Sequence, residues 1–203
     1  MITLVTGALI LSFLHAIIPN HWLPIIAIGQ KEKWDLKETT RVTLIAGLSH
    51  AASTVLIGVL LGFIGAQLSR GIENFTAFIA PGLLVALGTF YVYQHSRHHH
   101  FHLHGHPEQV SKNRLIFSLA TAMFFSPCFE IEAYFLVAGA AGLWAVILLA
   151  LLYTTVTVCG MVILVRLAKS GLLKMNWHAV EHNAGIITGT TLILSGILTF
   201  FLH

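Results

Sequence analysis

The chain has 203 residues, of which 56% are hydrophobic and only 9% charged, with a mean hydropathy of +0.82. A soluble domain carries about 25% charged residues, so 8 acidic and 11 basic side chains are too few to coat a water-exposed surface. That excludes a soluble enzyme and a disordered tail, and a net charge of +3 is too small a phosphate footprint for a nucleic-acid partner.

The fold class read from this is an all-α integral membrane protein forming a single transmembrane domain over 1–203. The N-terminal MITLVTGALILSFLH lacks a basic leader and a small-residue cleavage site, so it reads as a retained span. Spans need about 20 apolar residues each. Six stretches qualify: 2–29, 42–68, 76–95, 114–139, 142–168 and 184–202. Between them lie polar connections at 30–41, 69–75, 96–113 and 169–183, with a Gly-rich turn at 139–142. Segments of alternating polarity are absent, which argues against a β-barrel.

Lys31, Lys33, Lys37 and Arg41 mark the first connection, Arg97, Lys112 and Arg114 the third, and Arg166, Lys169 and Lys174 the fifth; Arg70 stands alone in the second. The positive-inside rule then places connections one, three and five in the cytoplasm and both termini outside, in a cell (inner or plasma) membrane. Three spans per half make residues 1–95 and 114–203 candidates for a 3+3 inverted repeat, joined by 96–113. Pro19 and Pro24 in the first span and Pro127 in the fourth should kink or unwind those helices. Matching broken helices point to a site near the membrane midplane.

The first span carries HAIIPNHW, with His15, Asn20 and His21. In an ideal helix His15 and His21 lie about 240° apart, so only a break near Pro19 brings both imidazoles to one cavity. Otherwise His21 sits at the interface with Trp22, and His15 bonds a neighbouring helix. His50, in GLSHAASTVLIG, lies about 12 Å along its helix from Arg41, while His15 is about 20 Å from the outer end of its own. In a core of about 30 Å those depths nearly coincide. Small neighbours (Gly47, Ser49, Ala51, Ala52, Ser53) permit close helix approach, and a packing histidine is the alternative. The fourth span holds SPCFEIEAY, with Cys128, Glu130 and Glu132. Carboxylates there are costly without a function and would neutralise a cation that imidazoles leave charged. Cys128 reads either as a ligand or as a small hydrophobe.

Seven histidines crowd the third connection: His95, His98, His99, His100, His102, His104 and His106. Such a tract captures metal or senses pH. At 177–182, WHAVEH fits H-x-x-E-H through His178, Glu181 and His182, but no third ligand is nearby and lining the interface is the simpler role.

HAIIPNH resembles the first-helix H-x4-D-H signature of the nickel/cobalt transporter superfamily, with Asn20 in place of the Asp. It is also similar to the H-A-x-x-P-G-H form of the nickel/cobalt efflux branch and of UreH-like transmembrane proteins. GLSHAAST resembles the superfamily's second histidine motif, and SPC the Pro-Cys of the efflux and UreH-like branches. FEIE only loosely echoes the F-D-T-x-T-E of the uptake branch. The resemblance implies transport of a divalent transition metal (nickel, cobalt or zinc) as substrate, in the outward direction. It carries His15, His21 and His50 over as metal-site residues; Asn20, Glu130, Glu132 and Cys128 join the candidate set on their chemistry.

On this reading the protein is a transporter and not an enzyme, with no tightly bound cofactor. Its partners are the metal cation and membrane lipid, with a homo-oligomer or an energising subunit as further candidates. No nucleotide-binding motif is present in the sequence, so a gradient or a separate subunit drives the flux. Two rivals share parts of this pattern. A thiol–disulfide electron carrier of the cytochrome c biogenesis type needs Cys128 and Cys159 to approach each other. An intramembrane metal-dependent hydrolase uses the same His/Glu set but keeps its zinc.

Overall fold

The computed structural model describes residues 2–67, 80–97, 111–126, 128, 131–171 and 183–202. All regular structure among them is helical, in eight helices: α1 (Ile2–Ile17), α2 (Pro19–Lys31), α3 (Leu36–Gln67), α4 (Ala80–Arg97), α5 (Lys112–Phe124), α6 (Glu132–Ala141), α7 (Leu143–Lys169) and α8 (Ala184–Leu202).

The first apolar stretch is two helices joined at one residue. Ile18 adopts φ −58°, ψ 122°, the extended conformation that a following proline imposes on its predecessor. Pro19 then opens α2 at a position where its missing N–H costs nothing. Pro24, expected to break the run as well, is accommodated inside α2 without interrupting it. The fourth stretch is also divided: α5 ends at Phe124 and α6 begins at Glu132.

The first connection is shorter than its polar composition suggests. Residues 32–35 alone join α2 to α3, because Asp35 accepts the Glu38 N–H at 2.7 Å and so caps a helix that starts before the apolar run. Lys37 and Arg41 therefore ride on α3. Between α6 and α7 the turn reduces to Gly142, whose φ of 114° only glycine adopts without strain.

Large apolar side chains cover the outer faces of α3 and α1 as well as filling the core. Along α3, Leu44, Leu48, Leu56, Leu60 and Phe63 are exposed, while Thr39, Thr43, Gly47, His50, Ser53 and Thr54 are buried. In α1, Leu9 and Phe13 face out while Ser12 and His15 face in. Apolar side chains outside and small or hydrogen-bonded ones inside are what a lipid environment selects. Among the described residues three segments, Leu4–Lys31, Leu36–Gln67 and Leu143–Lys169, are long and apolar enough to cross a membrane.

α3 lies centrally, against α5, α6 and α7, and α7 also covers α1 and α2. The α3–α6 approach is so close that a Cβ on Gly139 would strike the Gly62 backbone. α4 packs chiefly on α8, which touches α1 and α2. The basic ends cluster: Lys112 at the start of α5 pairs with Glu38 of α3 at 3.0 Å, and Val165 and Ala168, near the end of α7, pack on Trp22, Leu23 and Ile26 of α2.

Candidate metal centre

His15 lies in the last turn of α1 and His21 in the first turn of α2. On an uninterrupted helix their rings would diverge; the extended Ile18 between them redirects the second helix, and the ring centroids come within 4.4 Å. His50, midway along α3, completes a triangle, 5.3 Å from His15 and 4.5 Å from His21. All three are buried, at 3%, 8% and 0% exposure respectively, and one ligand atom from each lies within 4.8 Å of the other two.

The tightest approach is Nε2 of His15 to Nε2 of His50, at 3.1 Å. Metal–imidazole bonds of about 2.0–2.1 Å place neighbouring donors about 2.9 Å apart in an octahedron and about 3.4 Å apart in a tetrahedron. The observed separation falls between those edges. Three imidazoles suit nickel, cobalt, zinc or copper, whereas magnesium and calcium require oxygen cages.

Around the triangle runs a set of polar contacts. The Cys128 Sγ lies 3.3 Å from Nδ1 of His15, the ring nitrogen not directed at His50. The Cys128 N–H donates to Thr54 Oγ1 at 3.0 Å, and the Tyr153 hydroxyl donates to the same oxygen at 3.5 Å. Tyr153 Oη is also 3.3 Å from Nε2 of His50. Among the described residues Nδ1 of His50 has no hydrogen-bond partner, although the backbone of Met123 and Ser126 comes close to the ring. Thr54 thus holds the backbone where α5 has ended, supplying an acceptor that an interrupted helix lacks.

Of the remaining candidates, Glu132 opens α6 and is 5% exposed; among the described residues neither of its carboxyl oxygens has a hydrogen-bond partner, and it does not join the histidine cluster. Asn20 is the second residue of α2, and its side chain lies outside the described residues, as does all of Glu130. His95 falls in the last turn of α4, its side chain likewise not described. His98, His99, His100, His102, His104 and His106 lie outside the described residues, as do His178, Glu181 and His182.

Two participants escaped the sequence reading. Tyr153 is fully buried mid-span in α7, and a phenol within a membrane helix must find a partner for its hydroxyl. Thr54 stands four residues after His50, hence on the same helix face. Both signals were in the sequence, but neither threonine nor tyrosine stands out in an apolar run as histidine does.

No family model matches the chain, and no curated protein or solved structure does either.

Proposed function

We propose that this chain is a six-span membrane carrier for a divalent transition-metal cation, nickel or cobalt in the first place, acting in the outward direction. The observation that carries the reading is the convergence of His15, His21 and His50, three buried imidazoles from two spans, at the point where the first span is broken. Ionisable side chains are rare within membrane segments and face functional cavities when present. A broken helix beside them is the arrangement by which carriers open backbone and side-chain donors to an ion.

The 3+3 inverted repeat belongs to the same proposal. Its support is the α4–α8 crossing: a Cβ on Gly88 would meet the Gly189 carbonyl at 2.6 Å, and one on Gly189 would meet the Gly88 carbonyl at 2.6 Å. One turn further on, the same two positions abut Ile193 N and Val92 N, at 2.9 and 3.0 Å. Such reciprocity is what an axis between the third spans of two halves requires. On this proposal the basic ends face the cytoplasm and both termini the outside, with the positive-inside rule as support. The histidine tract then raises the cytoplasmic metal concentration near the carrier. Protons competing with the cation for imidazole offer a release step.

The sulfur positions count against the electron-carrier rival, since Cys128 is buried beside His15 while Cys159 is exposed on α7. Flux of a panel of divalent ions into proteoliposomes, with and without a pH gradient, tests the proposal. Flux of nickel or cobalt that His50→Ala abolishes supports it. Absence of flux for every ion removes it, and cleavage of a substrate with one retained zinc would favour the hydrolase.

A further inference from the structure

Cys128 belongs to the candidate ligands by chemistry, but its position assigns it a different task. A neutral imidazole has one N–H and one lone pair, and the nitrogen that binds a metal is set by the hydrogen bond the other makes. In His15 the two nitrogens have different neighbours: Nε2 faces His50 at 3.1 Å and Nδ1 faces the Cys128 sulfur at 3.3 Å. The thiol therefore lies at the nitrogen that a cation between His15 and His50 would not use.

We infer that Cys128 is a positioning residue, which accepts the Nδ1–H of His15 and so presents the Nε2 lone pair of that ring to the cation. The inference rests on the triad being the cation site. When Nε2 of His15 and Nε2 of His50 share a hydrogen bond, one donates and the other accepts. A cation between them needs both lone pairs, so the proton of each ring must reside on Nδ1. The sulfur is the acceptor placed at Nδ1 of His15. It is held there by the Cys128 N–H bond to Thr54 Oγ1 at 3.0 Å, with Tyr153 bridging from Thr54 to His50. The fourth span thereby senses ligand geometry on the first and second without contributing a ligand.

The test is Co²⁺ binding, followed by absorption, to the purified full-length chain with its seven tract histidines replaced by Ser so that the buried site is reported. The wild-type triad should give visible d–d bands with no sulfur-to-cobalt charge-transfer band. Cys128→Ala should weaken Co²⁺ binding about 10–100-fold, the usual cost of removing a partner of a metal-bound histidine. Cys128→Ser, which restores a hydrogen-bond acceptor, should recover most of the loss; a purely space-filling role predicts no such rescue. A charge-transfer band that Cys128→Ala removes would make Cys128 a ligand and overturn the inference. Unchanged affinity in Cys128→Ala would overturn it as well. The His50→Ala control separates the two levels: Co²⁺ binding that ignores His50 would overturn the triad itself, and the inference with it.

Discussion

His15 and His50 stand 35 residues apart on different helices, yet their Nε2 atoms face each other at 3.1 Å between two rings almost parallel, at an interplanar angle of 13°. Both residues are buried. Replacing either by Ala should abolish metal binding while leaving the chain folded, because a lost ligand costs more than the 10–100-fold typical of an outer partner. Metal titration of each purified variant checks this; normal affinity in either would identify that residue as a packing histidine.

Tyr153 and Thr54 should have different effects. Tyr153→Phe keeps the ring that fills the core and removes only the hydroxyl near Nε2 of His50, the nitrogen a cation would take. A hydrogen bond there competes with the cation for one lone pair, so metal affinity should hold or rise, with little change in thermal stability. Thr54→Val removes the acceptor that holds the Cys128 N–H; it should lower metal affinity about 10–100-fold and loosen the segment after α5, seen as faster amide exchange at Cys128.

The way the chain breaks was legible in HAIIPNHW and SPCFEIE, because proline acts locally and its consequence for the preceding residue is steric. Expecting Pro24 to break the first span overreached: one missing N–H inside a helix is tolerated where the next turns continue. The meeting of His15 with His50 was foreshadowed by equal depth, which follows from rise per residue and needs no knowledge of packing. The roles of Thr54 and Tyr153 were not legible. They depend on which helix lies opposite, a pairing between residues far apart in sequence: Tyr153 and Cys128 meet Thr54 across 99 and 74 residues. Lys37 and Arg41 were read as connection residues because polarity marks the membrane boundary, not the helix boundary.

The α3–α6 contact should be the structure's most sensitive packing site. Gly139→Ala drives a methyl group into the Gly62 backbone, which cannot rotate away as a side chain would. A loss on the order of 1–3 kcal/mol is expected from such overpacking, measured by thermal unfolding in detergent. Gly82→Ala, where no described atom lies within 4 Å, is the control and should be neutral or slightly stabilising.

Metal affinity at the triad should fall as pH falls, because the bound form requires unprotonated donor nitrogens and binding releases protons. The sign is opposite to that of a site where acidification helps. Titrations of the tract-substituted chain from neutral to strongly acidic pH check it; affinity that does not fall anywhere in that range would exclude imidazole ligation.

Replacing His95, His98, His99, His100, His102, His104 and His106 by Ser should slow transport mainly at low cytoplasmic metal, as a capture role requires. Equal loss at saturating metal would put the tract in the permeation path.

On the proposed function, three buried imidazoles hold one cation. X-ray absorption at the zinc edge, on the tract-substituted chain loaded with one equivalent of Zn²⁺, tests it most directly. The expected shell holds about three imidazole nitrogens at about 2.0–2.1 Å, with the multiple-scattering signature of histidine rings, lost in His15→Ala. A shell of oxygen atoms alone, or a histidine signature unchanged by His15→Ala, would contradict it.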